Sequence, residues 1–237
     1  MIRQLAVAAT AGAIVLGSVG LGAPAFAASA DTAPQPTNHS SLAEIQAAGA
    51  RQTSNRITAL NSGITRVTST ATLTASDKST ILATLNGDLS GMKTLQAKIA
   101  ADTTVSVALA DYRSIYTGYR VYAVGLQQVY IAAAADGLTG TGIPKLQSAA
   151  SKISALFAAD PTKVTPSLQA QLADMQAKTA DAATTTSGLA AAALAVTPAA
   201  YNANHAVLVD LRASARDALA DSKAAAKDGQ AILAALK

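Results

Sequence analysis

The sequence predicts an all-α fold, an elongated bundle of about six long helices. About a quarter of the 237 residues are alanine, the strongest helix former. Apolar residues recur at steps of three and four, and no segment has the alternation that is typical of a strand. Only 3% of the residues are aromatic and 14% are charged. We therefore expect long helices that pack closely through small side chains.

Residues 1–28 are predicted to be a secretory signal peptide. They combine Arg3, an apolar run and a small-residue ending, with cleavage expected after Ala27 or Ala28, or nearly as well after Ala30. The alternative is an uncleaved membrane anchor, because the apolar run is long enough to span a bilayer. No basic flank follows the run and no Arg-Arg pair precedes it, so we expect export by the general secretion route. The predicted localisation is secreted, extracellular or in the cell envelope.

The polar residues 29–40 contain Pro34 and Pro36, and they predict a disordered linker. The chain has no cysteine, so we expect neither disulfides nor a cysteine-linked lipid. The remaining length is sufficient to bury an adequate core without such crosslinks. The exported protein should be released or held non-covalently at the cell surface.

A first helical unit is predicted over residues 41–136. Ser41 with Glu44 forms a capping box at its start. The first helix carries one apolar stripe, formed by Ile57, Leu60, Ile64 and Val67. The three predicted helices run from 41 to about 70, from a cap at Thr74 or Ser76 to about 100, and from a cap at Asp102 to about 135.

A second helical unit is predicted over residues 137–237, packed on the first or continuous with it. The glycine-rich residues 136–144 are expected to break the third helix, and a shorter fourth helix follows to about 158. Thr-Pro pairs at 165–166 and 197–198 predict the starts of the fifth and sixth helices. The connectors at 72–82 and 163–172 resemble each other, which favours two related three-helix units.

Residues 111–130 hold five of the six tyrosines. Spacings of four and three place most of them on one helical stripe, with Ala123 and Leu126. One interpretation is structural, with the tyrosines as the bulky residues of an alanine-rich core. The other is a shallow groove for sugars or proline-rich peptides, with two arginines alongside. The candidate contact surface comprises Tyr112, Arg113, Tyr116, Tyr119, Arg120 and Tyr122.

The remaining inventory predicts no catalytic, cofactor or metal site. The histidines are His39 in the linker and His205 in the last helix, so no zinc motif is formed. Glu44 is the one glutamate, and the aspartates are scattered along the chain. A net charge of +4 reflects a small excess of dispersed basic residues. Nucleic-acid binding, which needs clustered Lys and Arg with aromatic platforms, is therefore not expected.

Three stretches resemble a group of secreted, alanine-rich, all-helical proteins of actinobacteria and some other bacteria. They are residues 74–104, 117–136 and 197–219, and the resemblance covers most of the chain after the predicted signal peptide. Members of this group have no assigned activity. The resemblance implies export and a helical fold, and it implies no catalytic residue.

We therefore expect a non-enzymatic, secreted or envelope-associated helical protein that binds a cell-wall polymer or surface protein, or serves as a structural spacer. The alternative is a membrane-active protein whose amphipathic helices lie on a bilayer without spanning it. A hydrolase that uses aspartates is a third hypothesis, which no motif supports.

Overall fold

A computed structural model describes residues 36–237, and its regular structure in this range is entirely helical. The predicted all-α bundle is confirmed. The predicted signal peptide and most of the predicted linker lie outside the described residues. The last five linker residues contain a turn, in which Ser40 N–H donates to the Thr37 carbonyl at 3.0 Å.

Nine α-helices are described, and several of them join into longer helices. Their bounds are α1 Leu42–Ser69, α2 Ala75–Ala101, α3 Val105–Ser114, α4 Leu126–Gly137, α5 Ile143–Ala159, α6 Pro166–Thr186, α7 Leu189–Leu194, α8 Pro198–Ala203 and α9 Ala206–Ala235. Three π-helical segments adjoin them, at Ile115–Tyr119, Val121–Gly125 and Leu138–Gly142, and a short 3₁₀ turn lies at Pro161–Lys163.

Most predicted helix starts are confirmed by their caps. The side chain of Ser41 accepts from Glu44 N–H, and the Glu44 carboxylate accepts from Ser41 N–H at 2.7 Å, which completes the capping box. Of the two caps predicted for α2, the structure uses Thr74. Thr165 and Thr197 cap α6 and α8, each followed by a proline.

The prediction for the third helix was wrong in two respects. Its N-cap is Thr104, whose hydroxyl accepts from Val107 N–H, whereas Asp102 ends α2. The helix is also interrupted at Arg120, which adopts left-handed backbone angles. The stretch predicted as one helix is therefore two, and the tyrosines lie on both sides of the break.

The glycine-rich residues 136–144 were predicted to break the helix, and this prediction was wrong. They continue it through the π-helical segment, so the chain is helical without interruption from 121 to 159, a path of roughly 55–60 Å at 1.5 Å per residue. Leu138 and Ile143 are buried against Ala182 and Ala218. This packing overrides the low helix propensity of glycine.

The predicted fifth and sixth helices are each divided. Gly188, at φ 70°, separates α6 from the short α7, since glycine adopts this conformation without a Cβ clash. The sixth begins as α8, ends at Asn204 in an extended conformation, and resumes as α9.

Two groups of helices, five at one end and three at the other, pack around two cores. At one end the antiparallel pair of α1 and α2 is covered by α3, α4 and α7, and at the other α5 packs on the antiparallel pair of α6 and α9. α9 joins both cores, with Leu208 and Ala215 in the first and Ala226 and Ile232 in the second. We call these the irregular end and the regular end.

Candidate functional site

The main backbone irregularity among the described residues is at Arg120. Its φ of 47° and ψ of 38° are left-handed, and Arg120 is the one non-glycine residue with positive φ in this range. This conformation costs a non-glycine residue about 1–2 kcal/mol. π-helical segments flank Arg120 on both sides. Strained residues and π-bulges both occur frequently at functional sites, which directs attention to this break.

Asn202, from α8, fastens the break. Arg120 Nε donates to Asn202 Oδ1 at 2.7 Å, and Asn202 Nδ2 donates to the Thr117 carbonyl at 2.8 Å. The Arg120 guanidinium lies 5.5 Å from the ring centre of Tyr201. Residues about eighty positions apart in the chain therefore hold the Arg120 side chain.

Arg56 of α1 places a second guanidinium group against the break. It is 3% exposed, and its Nη1 donates to the Gln52 carbonyl at 3.2 Å and to Gln52 Oε1 at 2.7 Å. Its guanidinium carbon lies 4.6 Å from the ring centre of Tyr116 and 5.1 Å from that of Tyr122. These cation–π contacts on both sides of the break join α1 to it.

A shallow cleft opens between these side chains, and we call it the arginine-tyrosine cleft. It encloses about 220 Å³, including the open solvent at its mouth. The part of this space that a water molecule can reach is about 10 Å³, roughly the room for one water, so a ligand would contact the cleft at its mouth and not enter it. Its lining residues are Arg56, Ile115, Tyr116, Arg120, Val121, Tyr122 and Ala123.

The structure brings three of the six predicted contact residues to the cleft, namely Tyr116, Arg120 and Tyr122. Of the other three, one is buried inside the bundle, one is half-buried against α2, and one is exposed. Tyr112 is 1% exposed, with its hydroxyl 3.0 Å from that of Tyr116. Tyr119 packs against Gly91, and Arg113 is exposed outside the cleft lining.

The sequence interpretation missed three residues at or beside the cleft: Arg56, Tyr201 and Asn202. A signal for the first was present, because Gln52 and Arg56 precede Leu60 at steps of four and share its inward face. A charged residue on an apolar stripe indicates a buried polar contact. No local pattern pointed to Tyr201 or Asn202, since their role depends on how α8 packs.

Asp88 of α2 lies on another side of the same break. Its carboxylate is 3.6 Å from where a Cβ on Gly125 would lie, and partial burial raises the pKa of Asp88 to about 6. Asp88 does not line the cleft. The protonation state of Asp88 therefore affects how stably α2 packs against the break.

A second polar cluster lies where α2 meets α3. Lys98 Nζ pairs with Asp111 Oδ1 at 2.9 Å. Burial raises the pKa of Asp102, and the nearby Asp111 carboxylate raises it further. Within residues 36–237, no group of three or more His, Cys, Asp or Glu side chains is arranged to hold a metal ion. We interpret this cluster as an ion pair that joins the two helices.

The chain was compared with protein-family models, with curated proteins and with solved structures, and it matches none of them.

Proposed function

We propose that this chain is an exported, non-enzymatic helical protein that binds a polymer of the cell envelope through the arginine-tyrosine cleft. The observation that carries the proposal is the left-handed Arg120 at the cleft edge, held there by Asn202. Strain of this kind persists where the surrounding contacts maintain it, and it clusters at active sites, ligand clamps and switch regions.

The dimensions and lining of the cleft support a binding role over catalysis. It is too small to enclose a substrate, and its lining contains no carboxylate, histidine or cysteine to act as a base or nucleophile. A polymer presents many copies of a small group, so weak single contacts add up along its length. A protein of the cell surface is the other partner that the proposal admits.

Export is the other part of the proposal. It is supported by the small-residue ending of residues 1–28 and by the resemblance to secreted helical proteins. If the cleft binds nothing, the exported protein would serve as a structural spacer instead.

The test is sedimentation of the purified protein with bacterial cell wall, with or without prior protease treatment of the wall. We expect retention on both wall preparations at low and at moderate salt. Arg120→Gln should reduce retention, whereas Arg113→Gln, which removes the same charge seven residues away on an exposed position, should not. Retention that requires untreated wall would assign a surface protein as the partner.

The membrane-active alternative is tested in parallel with phosphatidylglycerol liposomes. Among residues 36–237, no helix combines the length and the apolar character needed to cross a bilayer. Retention on liposomes alone would replace the proposal with surface association of amphipathic helices. A protein that stays in solution with both materials would contradict envelope binding and leave the spacer role.

A further inference from the structure

Each tyrosine ring around the cleft already has a guanidinium group over one face. The Arg56 guanidinium lies over the rings of both Tyr116 and Tyr122. Tyr201 is contacted by the Arg120 guanidinium at 5.5 Å and by the His205 ring, whose centre is 4.8 Å from its own. A sugar that stacks on an aromatic ring needs an open face. This arrangement therefore disfavours the sugar-stacking groove that the sequence suggested.

The Arg120 guanidinium leaves hydrogen-bond donors for a different kind of ligand. Asn202 takes Arg120 Nε, and within the described residues the two terminal nitrogens of Arg120 have no hydrogen-bond partner. A guanidinium presents its N–H groups as a planar fork that matches the paired oxygens of a phosphate or carboxylate. The Asn202 contact fixes this fork in place before a ligand arrives.

The charge of the cleft has the sign that an anion requires. Two arginines line it, and no aspartate or glutamate does. Arg56 is 3% exposed, so water screens its charge less than that of a surface residue. The exposed Arg113 lies outside this arrangement and has no comparable surroundings.

We infer that the arginine-tyrosine cleft binds an oxyanion, a phosphate or carboxylate group carried by the envelope partner. This inference rests on the proposed function and names the group that the partner presents. Arg120 makes the direct contact, Asn202 positions Arg120, and Arg56 adds positive potential from below.

Calorimetric titration of the full chain with inorganic pyrophosphate and with citrate tests this directly. We expect saturable binding that weakens as salt increases. Arg120→Gln should weaken it about tenfold, the loss expected from one charge-assisted hydrogen bond. The matched Arg113→Gln should stay within about twofold of the wild type, because exposed charges contribute little. Equal effects of the two variants, or no binding of either anion, would overturn the inference.

A second variant guards against a folding defect in Arg120→Gln. Asn202→Asp keeps an oxygen acceptor for Arg120 Nε, loses the hydrogen bond donated to the Thr117 carbonyl, and places a negative charge beside the guanidinium. It should keep the fold, as judged by circular dichroism, and still weaken anion binding. Unchanged anion binding in a folded Asn202→Asp protein would contradict the role given to Arg120.

The polymer arms separate this inference from the proposed function and identify the source of the anion. Poly(glycerol phosphate), poly(glutamic acid), the neutral polymer amylose and phosphatidylglycerol vesicles are compared as competitors for wall retention. We expect at least one anionic competitor to displace the protein while amylose does not. Wall retention that only amylose displaces would preserve the proposed function and refute the oxyanion. Anion binding by calorimetry without wall retention would preserve the oxyanion site and refute the proposed envelope binding.

Discussion

The two ends of the bundle use the same kind of helix but different contacts. At the regular end, α5, α6 and α9 pack through aliphatic and alanine side chains, and Lys178 bridges Asp174 and Asp228 at the surface. At the irregular end, the chain breaks at Arg120 and buries the guanidinium of Arg56. Local periodicity therefore specifies the regular end. The irregular end depends on polar contacts between residues far apart in the chain.

The amide of Gln128 shows how far this dependence extends. Gln128 is 6% exposed, and its Nε2 donates to the carbonyls of Ala193 at 2.9 Å and Val196 at 2.7 Å. These carbonyls lie at and just beyond the end of α7, where backbone donors become scarce, although the Ala193 carbonyl also accepts from Val196 N–H at 3.2 Å. The Gln128 side chain thus attaches α7 to α4, which a purely apolar contact could not do so specifically.

The largest expected effect is on stability at the regular end. Leu146 is fully buried there, so Leu146→Ala removes burial and leaves a cavity, which should lower the free energy of unfolding by about 2–5 kcal/mol. Urea denaturation measures this loss. Anion binding by the folded variant should be unchanged, and a clear loss of binding would show that the two ends are coupled.

A pair of glycines on α2 tests close packing at the irregular end. A Cβ on Gly91 would overlap the ring of Tyr119, so Gly91→Ala should destabilise the protein by about 1–3 kcal/mol. A Cβ on Gly87 would meet nothing within 4 Å. The control Gly87→Ala should therefore stabilise the protein by about 0.5–1 kcal/mol, as alanine does in a helix. Thermal unfolding of both variants should show shifts of opposite sign, and equal shifts would refute the contact.

The sequence predicted the parts of the fold that depend on neighbouring residues. The capping box at Ser41 and the Thr-Pro starts near 165 and 197 are local signals, and the structure contains them. The buried residues Leu168, Leu172 and Met175 of α6 follow from helical spacing alone.

The parts that the sequence did not predict depend on packing. Residues 136–144 stay helical because Leu138 and Ile143 are buried, although their glycines favour a break. Arg120 lies within a continuous helical pattern, and its left-handed turn depends on Asn202 in α8. Three of the six residues of the predicted contact surface line the cleft. The missing side chains came from α1 and α8, which no spacing rule connects to residues 111–130.

A third prediction concerns the pH dependence of stability at the break. Burial raises the pKa of Asp88 to about 6, so between pH 4 and 6 the folded state holds a proton that the unfolded chain has released. This contribution favours folding fully below about pH 4 and is lost as the pH rises through 6. At pH 7 the charged form is therefore a cost, which solvent reduces to about 1 kcal/mol because the carboxyl is partly exposed.

Asp88→Asn should therefore raise the free energy of unfolding at pH 7 by about 1 kcal/mol and leave it nearly unchanged at pH 4. Urea denaturation at the two pH values checks this. Part of the slope with pH should remain, because burial also raises the pKa values of Asp102 and Asp136. A variant that is equally stabilised at both pH values would show that packing, and not titration, is responsible.

The smallest expected effect on stability separates folding from binding at Arg120. Arg120→Gly relieves about 1–2 kcal/mol of left-handed strain. It also loses the hydrogen bond to Asn202, worth about 0.5–1.5 kcal/mol, and the contact with the Tyr201 ring, worth about 0.5 kcal/mol, and it increases the entropy of the unfolded chain by about 0.5–1 kcal/mol. These contributions nearly cancel, so the free energy of unfolding should change by less than about 1 kcal/mol.

Anion binding by Arg120→Gly should nevertheless fall at least tenfold, as in Arg120→Gln. A stable Arg120→Gly protein that no longer binds anions would mean that the fold tolerates glycine at the break. The guanidinium of Arg120 would then serve binding and not folding. A variant that loses several kcal/mol of stability would assign Arg120 to the fold instead, since its side chain would then be holding α8 against the break. The comparison between the two ends would then rest on packing alone, because the strain at Arg120 would be explained without a ligand.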